Sequence, residues 1–135
     1  MTLDDLQERF GIVAPARESL GALWLDHGPA GVREVARTMN EAGARFVTIT
    51  AYQLPGTEGF ALEYHWDLKG RLLGFAYTIT SKEIDSIFDL CEGADWIERE
   101  IHEEYTIDFT GRNYEPLLLR AEDSPGVNLR EEVKR

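Results

Sequence analysis

The chain has 135 residues, 43% of them hydrophobic, and 14 Lys plus Arg against 25 Asp plus Glu, a formal charge of -11. That length suits one domain with a real core, and the negative charge argues against binding nucleic acid or anionic lipid. One cysteine, Cys91, excludes an internal disulfide and cannot alone hold an iron-sulfur cluster or a structural zinc.

Thr2 followed by Asp5, with Leu3, Leu6 and Phe10 along one side, predicts a short helix over 3–9. LGALWLDH, residues 20–27, is an apolar run of strand length stopped by Gly28-Pro29. Val32, Val35, Ala36 and Met39 then fall at helical spacing, and Gly43 suits the position just past the helix end.

RFVTITAYQL, residues 45–54, is rich in β-branched and aromatic residues and closes on the turn-like PGTEG. In the next run Phe60, Leu62, Tyr64, Trp66 and Leu68 alternate with Ala61, Glu63, His65 and Asp67, the pattern of a strand with one dry and one wet face. Lys69-Gly70 and RLLGFAYTIT, residues 71–80, complete an antiparallel hairpin. Its apolar face needs a cover, and the helix around Val35 is the natural one.

Periodicity fades through SKEIDSIFDL. Asp95 and Glu98 read as an N-cap and third-position pair opening a helix whose apolar stripe is Ala94, Ile97, Ile101 and Tyr105. Beyond Gly111 the text turns to loop. The resulting order of helix, strand, helix, three strands, helix and tail predicts an α+β domain over 1–111. Its sheet is mostly antiparallel and covered by helices. Residues 112–135 form an extended C-terminal tail docked on a partner or on the domain itself.

Glu63, His65 and Asp67 share a wet strand face, but same-face neighbours about 7 Å apart converge poorly on one ion. Glu98 and His102 stand at Glu-x-x-x-His spacing, unlike the Glu-x-x-His of metal-binding bundles. His27 beside Gly28-Pro29 suits a capping or surface role. Asp89 and Glu92 beside Cys91 raise its thiol and make it a poor nucleophile. No nucleophile-elbow, phosphate-loop, dinucleotide or zinc-protease motif occurs in the sequence. No catalytic, cofactor-binding or metal-ligating residue is therefore assigned.

From Glu92 to Glu104 lie six carboxylates, Glu92, Asp95, Glu98, Glu100, Glu103 and Glu104, with one permanent cation, Arg99. Arg99 reaches Asp95 and Glu103 at i-4 and i+4, leaving Glu98, Glu100 and Glu104 without a local counter-charge. Such a face is either simply solvated or docked on basic residues of another chain.

GADWIEREIHEEYTIDFTG resembles the signature of the 30-kDa (C) subunit family of NADH:quinone oxidoreductase, respiratory complex I. The resemblance rests on Trp96, Glu98, Arg99, Glu100, Tyr105, Ile107, Phe109 and Gly111. It departs at Thr106, where the family has glycine before the isoleucine, and at Gly111 to Glu115, which replace the family's G-H-P-D-L. The ending EPLLLRAEDSPGVNLREE is similar to that of relatives in energy-converting membrane-bound [NiFe] hydrogenases.

The resemblance implies a subunit without flavin, cluster or metal, bracing a large catalytic subunit beside a small iron-sulfur subunit. It would be cytoplasmic and peripheral to the inner face of the cell membrane, without inserting into the bilayer. Those eight residues, with Leu117, Leu118 and Leu119, would form the partner interface. The alternatives are a small acidic metal-dependent enzyme and an unrelated interaction module.

Overall fold

The computed structural model describes residues 2–11 and 16–114. Its elements are α1 (Leu3–Arg9), β1 (Arg17–Ser19), β2 (Ala22–Trp24), α2 (Val32–Glu41), β3 (Arg45–Gln53), β4 (Phe60–Leu68), β5 (Arg71–Ile79), β6 (Glu83–Asp85), α3 (Ala94–Tyr105) and β7 (Asp108–Thr110). The α+β class holds. A mostly antiparallel sheet runs β1-β2-β5-β4-β3, and β6 and β7 pair separately in parallel.

Local chemistry fixes the helix ends. In α1 the Thr2 hydroxyl accepts the Asp5 N–H while the Asp5 carboxylate accepts the Thr2 N–H, the reciprocal box read from the sequence. α2 ends where Gly43, at φ 79°, lets the Ala44 N–H reach the Met39 carbonyl and its own N–H reach Asn40.

Two hairpins use tight two-residue turns with both central residues at positive φ, Leu20-Gly21 between β1 and β2 and Lys69-Gly70 between β4 and β5. That conformation matches the twist of the flanking strands. The carboxylate of Asp67 braces the second by accepting the Gly70 N–H at 2.8 Å.

Phe60, Leu62, Tyr64, Trp66 and Leu68 are all buried, as their alternation requires. Leu6 of α1, Val35, Ala36 and Met39 of α2, and Ala94 and Ile101 of α3 share their core. Phe10 meets Phe75 edge-on and Tyr105 meets Phe60 likewise. The cover expected from α2 is thus shared by all three helices.

The expected element order lacked β1, β6 and β7. Each has three residues, too few to set a two-residue period, and β6 finds its partner only across α3. The Asp95–Glu98 start is also corrected. α3 begins two residues earlier, with Gly93 in place of Asp95 as its N-cap and no side-chain cap bond, because both carboxylates are drawn elsewhere.

Candidate functional site

α3 divides its charges between two faces. Glu98 points inward and is fully buried. One carboxylate oxygen accepts the Ser86 hydroxyl at 2.6 Å and an Arg112 N–H at 3.1 Å, and the other accepts the Ile87 backbone N–H at 2.8 Å. Burial raises its pKa, opposed by the bonds to Ser86, Ile87 and Arg112. The expectation that Glu98 lacks a counter-charge is overturned. Its cation comes from fourteen residues downstream, beyond helical i±4 reach.

Arg112, whose side chain is only 6% exposed, also reaches Asp95 and lies between the rings of Phe88 and Tyr114, at 4.9 and 5.1 Å from their centroids. Burial disfavours the guanidinium, but its bonds to Asp95 and Glu98 outweigh that and raise its pKa. Tyr114 stacks on His102 with ring centroids 3.8 Å apart, and its hydroxyl meets both the N–H and the carbonyl of Phe109. His102 Nδ1 lies 2.9 Å from the Ile107 carbonyl. Residues 112–114 are therefore packed back onto α3 and β7.

Of the residues anticipated as an interface, Ile107 and Phe109 are fully buried and Tyr105 is half-buried against the core. Gly111 is exposed at φ 91°, a turn that favours glycine. Trp96 is 57% exposed, the Arg99 guanidinium lies 5.9 Å from its ring, and Glu100 is partly exposed beside them. Arg99 pairs with Asp95 at 3.3 Å, as the spacing suggested. Leu117, Leu118 and Leu119 lie outside the described residues.

Sequence reasoning missed Ser86 and Arg112. One signal pointed to the inner role of Glu98, which stands at i+4 from Ala94 and three before Ile101, within the apolar stripe itself.

The acidic strand face assembles no metal centre. Glu63 accepts the Tyr52 hydroxyl at 3.2 Å, Asp67 pairs with Arg45 at 3.3 Å, and His65 packs edge-on to Trp24. Among the described residues no three His, Cys, Asp or Glu side chains converge as an ion would require. The ring nitrogens of His27 lie 2.8 and 2.9 Å from the Gly28 and Ala76 carbonyls, and its ring stacks on Tyr77. Cys91 is buried, and burial is the main cause of its raised pKa, ahead of the charges of Glu98 and Asp89. No described helix is long and apolar enough to cross a membrane.

Comparison with known proteins bears on this arrangement. Residues 25–135 match the family model described as respiratory-chain NADH dehydrogenase, 30 Kd subunit. The chain is 31% identical over 107 residues to the C subunit of NADH-quinone oxidoreductase from Rhodopseudomonas palustris (strain BisB18), covering 73% of this chain and 54% of that protein. It thus spans about half the length of that curated relative.

Two solved structures share the fold. One belongs to the membrane-bound sulfane sulfur reductase, an archaeal respiratory membrane complex, with a TM-score of 0.70 and 20% identity over 82% of this chain and 69% of the other. The other is a trypsin-resistant fragment of Nqo5, with a TM-score of 0.61 and 18% identity over 83% of this chain and 95% of the fragment.

Proposed function

The chain belongs to the respiratory-chain NADH dehydrogenase 30 Kd subunit family, and from that premise we propose that it is a non-catalytic assembly subunit of a complex I-like enzyme. It braces the large catalytic subunit of the peripheral arm, beside the small iron-sulfur subunit, in a quinone reductase or an energy-converting [NiFe] hydrogenase. It sits on the cytoplasmic side and is held at the membrane through its complex.

One observation carries this reading. On the signature helix Glu98 secures the domain internally, while Trp96 stands 57% exposed with Arg99 against its ring. Tryptophan and arginine together are the side chains most often found at the energetic centre of an interface. Glu100 adjoins them and would select a basic partner surface, fixing register more than affinity. Residues 112–135 form the tail of this reading, with 112–114 tied to α3 and Leu117, Leu118 and Leu119 assigned to the partner.

The test is co-purification from native membranes. Trp96→Ala with Arg99→Ala should leave the isolated chain folded and cut its recovery with the partner subunits by about tenfold or more, as loss of a hot spot requires. Wild-type recovery of that variant would refute the docking helix, and a wild-type chain recovered without any partner would refute the function.

A further inference from the structure

β3 is an edge of the sheet, paired only to β4 among the described residues. The Leu54 N–H donates to the Gly59 carbonyl at 2.9 Å, which sets the parity of the ladder. In an antiparallel pair bonded and non-bonded positions alternate, so Tyr52, Thr50 and Thr48 bond to Ala61, Glu63 and His65 in the observed register. The N–H and C=O groups of Ile49, Ala51 and Gln53 then point away from the sheet. The Ile49 carbonyl meets the Thr48 hydroxyl at a long 3.4 Å.

Long regular edges invite pairing, and proteins usually blunt them with lysine, proline, inward charge or a bulge. β3 has a register irregularity between Phe46 and Thr48, and Arg45 at its start. From Thr48 to Gln53 it carries none of these devices. Residues 42–57 contain no Asp or Glu, although the chain has 25. Five large apolar side chains are markedly exposed among the described residues, and two of them are on β3, Val47 just before Thr48 and Tyr52 within the Thr48–Gln53 run.

We infer that the Thr48–Gln53 edge of β3 accepts an extended strand from a partner polypeptide, which becomes a further strand of the sheet. The inference rests on the chain's being a complex subunit and adds a second attachment, made by backbone groups, to the one at Trp96. The occupant is a mainly uncharged strand with a carboxylate set against Arg45, whose side chain is 72% exposed. A second copy would bring another charge of -11 and offers only the same arginine, so a different polypeptide fits better. Main-chain bonds supply affinity in such additions, and alternate side chains supply specificity.

Residue-resolved hydrogen exchange on the full chain, dilute and isolated and then within the native assembly, tests this. The Ile49, Ala51 and Gln53 amides should exchange fast alone and slow about 100-fold in the assembly, while the Thr50 and Tyr52 amides are slow in both. Ala51→Pro deletes an outward N–H and spares the ladder to β4, so it should fold with a near-wild-type Tm yet be recovered with partners about tenfold less.

An intact assembly in which the three amides stay fast overturns the inference and leaves the proposed function standing. Slow exchange already in the dilute isolated chain means that its own residues fill the edge, and slowing with concentration means a second copy, either of which overturns it. A wild-type chain that recovers no partner sinks both readings together.

Discussion

Glu98 and Arg112, fourteen positions apart, meet at 3.1 Å where one side chain is fully buried and the other 6% exposed. A buried pair of this kind is weak evidence of net stabilisation, but removing one member strands the other. Glu98→Ala also leaves the buried Ser86 hydroxyl and Ile87 N–H without their acceptor. The expected cost is roughly 3 kcal/mol by urea unfolding. A double-mutant cycle with Arg112→Ala should return a coupling of about 1–3 kcal/mol, and additive losses would show that the two act separately.

Thr106 ends α3 at φ 59° and its hydroxyl is buried without a partner among the described residues. Glycine adopts this conformation without penalty. Thr106→Gly should raise stability by about 1 kcal/mol, measured as a shift in denaturant midpoint at unchanged slope. A loss of stability would mean that the threonine methyl packs better than its backbone strains.

A Cβ built on Gly74 would fall 2.7 Å from two ring carbons of Trp24. Gly74→Ala should therefore cost about 1–3 kcal/mol, and adding Trp24→Leu should recover part of that loss. An equal cost in both backgrounds would trace the effect to the backbone instead.

Arg33 binds both oxygens of Asp89 at 2.7 and 2.8 Å and holds its pKa down to about 2, below the ordinary 3.8. The lowered pKa means the unfolded chain takes up the proton first, so this contribution is complete above pH 3.8 and is lost as pH falls to about 2. Asp89→Asn should flatten that limb of the stability profile. Glu98 has the opposite sign. Burial raises its pKa above 4.5, so its contribution is present below that value and declines as pH rises through the raised one. Glu98→Gln should remove that decline.

Leu20 occupies the first central position of its turn at φ 52° and is 100% exposed. Asparagine suits that position better, and Leu20→Asn should stabilise the chain by about 0.5–1 kcal/mol without altering the hairpin. Thermal unfolding followed by circular dichroism would register it.

These residues also mark how far the amino-acid order alone reaches. The alternation from Phe60 to Leu68 and the spacing of Val32, Val35, Ala36 and Met39 repeat often enough for burial to impose a period, so the large hairpin and α2 could be read directly. β6 and β7 could not, because Glu83 and Asp108 pair across an intervening helix and no local pattern encodes such a meeting. For the same reason the charge count on α3 misled. It treated Glu98 as one of six surface acids, whereas its place in the apolar stripe sends it inside to a cation supplied by a later turn of chain. The outward setting of Trp96, with the mostly buried Arg99 side chain beside its ring, follows from the complementary side of that same helix.

The parallel pairing of Glu83 with Asp108 and of Asp85 with Thr110 joins the chain before α3 to the chain just after it. A helix closed into such a loop, and packed through Ala94 and Ile101 into the core, has little freedom to swing or slide. Docking through Trp96 would then proceed as between two rigid bodies, with little mobility surrendered on contact, so that the neighbour must arrive already shaped to receive it.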